Sequence, residues 1–566
     1  MDVEPSILQP HRRSVDVESV FSSPTDSRIS PPALQNACSS DYTALATDER
    51  AVHRGKVGLL DSRQNSASAP ASTVLIVGSG PAGLFAACEL LRHGVKPRVV
   101  ERRLAPHGET RGTALQPAVL EILDMAGLIE PFLRAGVRIR QVQLLGPNLQ
   151  EIATVKFADI GCKYEFQCSL PQWRTEAILR DHLERLGLEI EFGADVTSIE
   201  DDPAGLRVTL DTGGRTEVVT AAYLLGAGGG HSVTRHSMQE HLAGETYGGR
   251  YLVADLKLDL PCPPECGRVI VGPTGFVLVS PLPDDRWLIF VNRDEADARS
   301  ELPTTAELGA MLDARIGVDV GLSDLRWISY FKMHNRAVLR LSDGRRFLLG
   351  DAGHLSSPLG GEGVNSALMD AADIAWKLAL VVRGAAKPSL LDSYAAERGA
   401  ADHHVLEVSD EIHRFVTDLV AMCDGGGAPT LPQGDPARDL AAVRRRSMLD
   451  VSYAGSALVG QAGAVVEGPS AGDRFPARCR LSGTCHHLIV FGEAPRLDYL
   501  RARWDKLVSI VDAASAHFDA TEAGVPNGGA VLVRPDGFIG FRAAPADETA
   551  MDALDAHLTT YLVPSR

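Results

Sequence analysis

The run STVLIVGSGPAGLFAACELLRHGVKPRVVERR, from Ser72 to Arg103, constrains the fold more than any other stretch of this chain. Val74, Leu75, Ile76 and Val77 form the continuous apolar run of a strand buried on both faces. Gly78, Gly80 and Gly83 follow as G-x-G-x-x-G where the strand gives way to a helix. Gly78 permits the tight turn, Gly80 lets a pyrophosphate approach the backbone, and Gly83 lets helix and strand pack closely. The helix N-terminus offers unpaired N–H groups and partial positive charge to phosphates. Gly78, Ser79, Gly80, Pro81, Ala82 and Gly83 are therefore expected to hold a dinucleotide. Val99 and Val100 end a second strand, and Glu101 stands at its carboxyl end. A carboxylate there accepts from both hydroxyls of an adenosine ribose and repels a 2′-phosphate, so this pocket is not expected to hold NADP. The motif does not distinguish NAD from FAD.

With 566 residues the chain has room for three domains. Its net charge of −17 argues against nucleic acid or an anionic membrane as partner. The nine cysteines are scattered; Cys262 and Cys266 in CPPEC lack a second pair or a histidine cluster to complete a zinc site. No metal is expected, and free thiols in a reducing cytoplasm are the simpler reading. Gly78, Gly80, Pro81 and Gly83 interrupt the apolar run from Val74 to Leu91, which reads as strand plus helix and not as a membrane span. Residues 1–71 are rich in Ser, Pro, Asp and Arg, without a sustained period, and read as a disordered, dispensable tail with no secretory core.

Beyond Glu101, Arg111 lies in a loop and Pro117 opens an amphipathic helix carrying Leu120, Ile122, Leu123 and Met125. Residues 137–170 alternate as antiparallel strands. Pro171 and Gln172 open a helix that ends at Gly187. Hairpin strands follow from Val196 to Val219, then a short buried strand at Tyr223, Leu224 and Leu225. Residues 241–340 are mostly strands with one helix, TTAELGAMLDARIG, and interrupt the dinucleotide fold. That fold resumes with Phe347, Leu348 and Leu349, a buried strand ending at Gly350-Asp351. A carboxylate at such a strand end points into the ligand crevice of an α/β sheet. The loop Pro358 to Gly363 opens a helix from Val364, whose N–H groups suit an anionic or electron-rich ring. That helix, through Trp376 and Leu380, is apolar on most faces and therefore buried. His354 is the one candidate base, although a turn histidine with a structural hydrogen bond is the favoured reading. After the breaker-rich linker CDGGGAPTLPQGDPARD come strand, helix, strand, a hairpin turned at Asp536-Gly537, and a terminal helix. This is the order of thioredoxin without its C-x-x-C, so packing or dimerisation is expected there, not redox chemistry.

Taken in order, GSGPAG with Glu101, RGTAL at Arg111, PQWRTE at Gln172, GDAGHLSSPLGGEGVN at Asp351, DAADIAWKLA and LDSYAAER carry a specific resemblance. From Thr73 to the C-terminus the chain resembles the flavin-dependent aromatic hydroxylases of the para-hydroxybenzoate hydroxylase type. Within them it is most similar to the phenol and aromatic-polyketide hydroxylases with an extra C-terminal domain. The resemblance implies a mixed α/β and α+β fold. A Rossmann-like FAD-binding domain over 72–402 is interleaved with an antiparallel-sheet substrate domain (about 137–171 and 241–340). A helical extension and linker (403–439) and a thioredoxin-like domain (440–566) follow. It further implies bound FAD, NADPH or NADH as a visiting reductant, O2, and a small aromatic substrate hydroxylated through a flavin C4a-hydroperoxide. Glu101 would bind the FAD adenosine ribose. Arg111 would lie near the pyrophosphate and the nicotinamide, Gln172 would touch the flavin side chain, and Asp351 would bond the ribityl chain. The backbone of Gly363, Val364 and Asn365 would face the pyrimidine end of the ring; Arg102 and Gly361 complete the cofactor-binding set. Two places depart from the family pattern. In GAGGGHS, Gly228 stands where an aspartate is expected and His231 where an arginine is common; Glu362 stands where glutamine is frequent. The rival readings are Baeyer–Villiger oxygen insertion, a flavin oxidase or reductase, and a flavin-binding protein without turnover.

Overall fold

The computed structural model describes residues 72–110, 112–260, 263–293, 301–423, 429, 440–463, 468–476, 478–481 and 483–565. The expected tail, Arg111, Cys262 and nearly all of the linker lie outside the described residues. Strands β1 (Ser72–Val77) and β2 (Arg98–Glu101) are parallel, with Ile76 opposite Val99, and α1 (Pro81–Arg92) joins them. Pro81 at the first helical position supplies a preset φ without costing a hydrogen bond. Two further helices, α2 (Pro117–Met125) and α3 (Gln172–Arg185), follow where their prolines open them. Helix α2 is buried on both sides from Pro117 to Leu123, and not amphipathic in effect. The polar side that carries Glu121 is covered by Arg474 and Arg478 from late in the chain.

Strand β3 (Thr216–Gly226) is one continuous element. Its first half pairs antiparallel with Gly205–Asp211 and its second half pairs parallel with β1. Thr220, Ala221 and Ala222 contain no breaker, so the expected hairpin strand and the expected short strand are the same strand. Helix α4 (Thr305–Ile316) begins with a capping box between Thr304 and Glu307 and stops at Gly317, at φ 84°. Strand β4 (Arg346–Leu348) returns to β3 in parallel, and the sheet runs β4–β3–β1–β2–Ile190–Phe192. Two long helices, α5 (Gly363–Val382) and α6 (Asp392–Met422), cross this layer's flank.

The interrupting segments build one seven-stranded sheet. It is antiparallel except where Cys266–Gly272 runs parallel to Gln141–Leu145, the seam between the two segments. No hairpin links them, so nothing local imposes the antiparallel sense. Leu308, Leu312 and Ile316 of α4 cover one face. The other face is aromatic.

After α7 (Leu440–Arg446), a five-stranded sheet runs Gly460–Gly463, Ile539–Ala544, Gly529–Val533, His486–Phe491, Val508–Asp512, and α8 (Glu548–Tyr561) follows it. The Asp536-Gly537 turn is not an exposed tip. Arg534 and Asp536 are buried, and a Cβ at Gly537 would lie 3.1 Å from Met125 Sδ on α2. Trp376 Nε1 on α5 donates to Asp536 at 3.0 Å. Arg534 donates to Glu397 of α6 at 2.6 Å and pairs with Asp536, while Lys377 of α5 donates to Asp373 and Glu397 at 2.6 Å each. Burial pushes the Asp373 carboxyl up in spite of Lys377. Removing one member strands the others in a low-dielectric interior. Arg534→Ala is expected to lower the unfolding free energy by about 3–5 kcal/mol in chemical denaturation. A loss under about 1 kcal/mol, the scale of an exposed pair, would contradict this account of the network.

Candidate active site

The carboxyl ends of β2, β1, β3 and β4 open side by side on one edge of the sheet. Gly78 N donates to Val100 O at 2.8 Å, Ala227 N to Val77 O at 2.9 Å, and Leu349 N to Gly226 O at 3.0 Å. Three turns therefore stand in a row. Gly78 has φ 109°, and a Cβ on it would meet Ala227 O at 2.4 Å; a Cβ on Gly83 would meet Gly78 O at 2.1 Å. These two glycines are required by backbone contact within the protein. Gly80 differs: beyond its chain neighbours, no described atom lies within 4 Å of its would-be Cβ. Helix α1 starts there with no side-chain cap and no acidic residue in its first turn, and Ala82 and Gly83 lie buried in that turn. Glu101 is 8% exposed. One of its oxygens accepts from Ser79 N (2.8 Å) and Ser79 Oγ (3.1 Å), the other from Arg103 N (3.0 Å). It ties the end of β2 to the glycine turn, with Arg102 exposed beside it.

At the end of β4, Gly350 takes φ 57°, and a Cβ there would reach Ala367 Cβ of α5 at 2.8 Å. Asp351 follows, exposed on the same edge. Behind this turn lies a buried charge cluster. Asp370 Oδ2 accepts from Gly350 N at 2.9 Å and lies 2.8 Å from His354 Nε2; Asp402 Oδ2 is 3.4 Å from the same nitrogen. Arg398 donates to Asp370 at 2.8 Å and to Asp402 at 2.6 Å, and so already supplies positive charge between the two carboxylates. Burial works against charging His354, but Asp402 and Asp370 outweigh it and lift the imidazole to about 9. His354 is 3% exposed, and its neighbours favour the protonated form. The geometry is that of the favoured reading, a turn histidine with a structural hydrogen bond: through Asp370 it braces the Gly350 turn.

Gly228 sits at the end of β3, beside the glycine turn, and the atoms nearest its would-be Cβ belong to Ser232, at 3.6 Å and beyond. An aspartate would fit there, so no crowding explains its absence. His231 is exposed. Arg235, which sequence reasoning missed, does the joining: it is buried and donates to Ala352 O at 3.1 Å and to Gly230 O at 2.6 Å, linking the β3 and β4 turns. Its only sequence signal was a cation in the first turn after GAGGGHS.

A second group gathers at the start of α5. A Cβ on Gly112 would lie 3.6 Å from Gln172 Oε1 and 3.9 Å from Val364 Cβ. The Gln172 amide donates to Glu176 at 2.9 Å. Asn365 is buried, accepting from Gln116 N at 2.8 Å and donating to Ala114 O (2.8 Å) and Gly361 O (2.6 Å). Its side chain thus clamps the loop, with Gly361 at φ 71°. The first-turn amides of Gly363, Val364 and Asn365 follow an N-cap residue, Glu362, whose side chain makes no capping bond. Leu359, in the same loop, packs on the aromatic face of the seven-stranded sheet. There Phe290 lies 5.5 Å from Tyr251, 5.8 Å from Phe276 and 5.0 Å from Phe331, centroid to centroid.

A strand-end glycine turn beside a second strand end, backed by a buried helix, is the arrangement of a dinucleotide-binding α/β crevice. Residues 71–409 match the FAD binding domain model, and residues 472–564 match the aromatic-ring hydroxylase C-terminal model; the chain belongs to the FAD-dependent monooxygenases of this family. It is 31% identical over 521 residues to 6-methylpretetramide 4-monooxygenase of Streptomyces rimosus, covering 85% of this chain and 92% of that one. It is 30% identical over 511 residues to dialkyldecalin synthase of Streptomyces rugosporus, covering 87% and 99%. Aklavinone-11 hydroxylase, whose structure holds FAD and aklavinone, superposes with a TM-score of 0.72 at 25% identity, covering 86% and 98%.

The glycines separate cofactor binding from folding. Gly80→Ala is expected to melt like the native apoprotein, since a Cβ there meets nothing beyond its chain neighbours, yet to lose at least about tenfold in FAD affinity if the glycine turn holds the cofactor. Gly78→Ala is expected to compromise folding itself. Unaltered FAD affinity in a folded Gly80→Ala protein would contradict this.

Proposed function

We propose that this chain hydroxylates an electron-rich aromatic substrate, phenolic or polyketide-like, with FAD, NADPH or NADH, and O2. The observation that carries the reading is that the turn at Gly350 packs against both helices, a Cβ there lying 3.6 Å from Ala82 of α1 and 2.8 Å from Ala367 of α5, while Leu359 of the loop before α5 packs on the aromatic face. The residues suit FAD. Gly80 leaves room for the pyrophosphate, and the α1 amides face it. Glu101, with three donors already on its carboxylate, retains a lone pair for one ribose hydroxyl. Asp351 would accept from the ribityl chain, Gln172 would touch the flavin side chain, and the amides of Gly363, Val364 and Asn365 would face the ring's electron-rich edge. When bound, FAD supplies the hydride acceptance and oxygen activation that no side chain can. The protein's part is to orient the substrate against Tyr251, Phe290 and Phe331 and to keep water out. No side chain is assigned as acid or base.

The domain limits set out from the sequence, a thioredoxin-like last domain serving packing or dimerisation, and a cytoplasmic location belong to the same proposal. Cys88, Cys162, Cys168 and Cys485 are free thiols, and no helix among the described residues is long and apolar enough to cross a membrane. One observation favours a second reading, a flavoprotein that binds its substrate without oxidising it. A relative of nearly full coverage is named a synthase, and Gly228 removes an acid beside the glycine turn.

A substrate panel of phenols and polyketide aromatics, scored for NAD(P)H consumption and product mass, separates the readings. Hydroxylation requires substrate-dependent consumption and a product that gains one oxygen atom; a ring-expanded lactone would indicate Baeyer–Villiger insertion, and a product of unchanged composition the second reading. Asp351→Ala is expected to leave the purified protein substoichiometric in FAD, and full occupancy would remove Asp351 from the cofactor site.

A further inference from the structure

Glu362, the residue before α5, carries a charge that the reading above does not use. It is 1% exposed, and neither carboxyl oxygen has a hydrogen-bond partner. The side chain does not cap the helix; it folds over Gly360, where a Cβ would come within 2.0 Å of it. The groups facing it are few. From α6 comes Ser409, whose hydroxyl is committed to Ser357 O at 3.1 Å. From α7 comes Arg446, which also feels Glu411 and Arg445. The loop of Pro358 to Gly361 brings no titratable side chain. Burial outweighs Arg446, the residue's own amide and Ser409, and pushes the carboxyl up to about 8. A buried acid with both oxygens unpartnered is stable only while it keeps its proton.

The amides of Gly363, Val364 and Asn365 are the next three along the chain. Negative charge held against them raises the cost of ionising Glu362, and the effect is reciprocal: ionised Glu362 opposes that charge. We propose that Glu362 is a proton-linked positioning residue for the flavin, remaining a neutral acid when FAD is bound, so that binding takes up a proton from solvent wherever Glu362 is ionised in the free protein. The inference rests on the assignment of the α5 start to the flavin ring.

The sign follows from linkage. The bound state holds more protons than the free state above the titration of Glu362, so affinity falls as pH rises through it. The apoprotein's affinity for FAD, read by flavin fluorescence from about pH 6 to about pH 10, is expected to be flat at first and then fall by up to about tenfold per pH unit. Glu362→Gln, neutral and of the same size, is expected to flatten the profile. Coincident profiles for the two proteins overturn the inference. Should Glu362→Gln fail to fold, native apoprotein mixed with FAD in weak buffer near pH ~8 still decides: proton uptake supports the proposal and none overturns it. Failure of both proteins to bind FAD at every pH would overturn the flavin assignment itself, and this inference with it.

Discussion

Helix α5 must be buried along nearly its whole length and yet carries Asp370, Asp373 and Lys377, and the rest of the structure is arranged around that conflict. Charges in a low-dielectric interior need partners, and α5 cannot supply enough of its own. Asp370 finds His354 and Arg398; Lys377 finds Glu397; Asp373 shares Lys377 and Arg534. A rotation of α5 by one residue, about 100°, would unpair all three. The pairs therefore fix the helix in rotation and height more than they add net stability. What they fix is the helix start, where the Gly363, Val364 and Asn365 amides meet the loop clamped by Asn365.

The same charges explain the attachment of the last domain. Its hairpin tip, carrying Arg534 and Asp536, completes the α5 network, and Arg474 and Arg478 close around Glu121 of α2. Both contacts land on helices that frame the cofactor crevice. Cys485 in this domain is an ordinary thiol: burial pushes its pKa up, away from the thiolate that redox exchange needs. The domain contributes packing and countercharge to the FAD-binding layer.

What could be read from sequence was what local chemistry dictates. The glycine turn, Glu101 at the end of β2, the helix openings at Pro117 and Pro171, and the stop at Gly317 each depend on residues within a few positions. What could not be read depends on partners far away in the chain. Residues 364–380 read as apolar because their charges are spaced singly, and their counterions lie as much as 161 residues distant. The parallel seam at Cys266–Gly272 joins strands whose order no hairpin announces. From sequence a structural hydrogen bond is the favoured reading of His354, but only the fold supplies its partners, Asp370 and Asp402. Arg235 resembled any helix-terminal cation until the β4 turn was placed against it.

The central claim is that two distant strand ends, Gly78 to Gly83 and Gly350-Asp351, converge on one flavin. It is tested most directly by denaturing the purified native protein and identifying and counting what it releases. The account predicts FAD at one molecule per chain, either as isolated or after reconstitution. A folded protein that releases no flavin and takes up none when FAD is added in excess would contradict it.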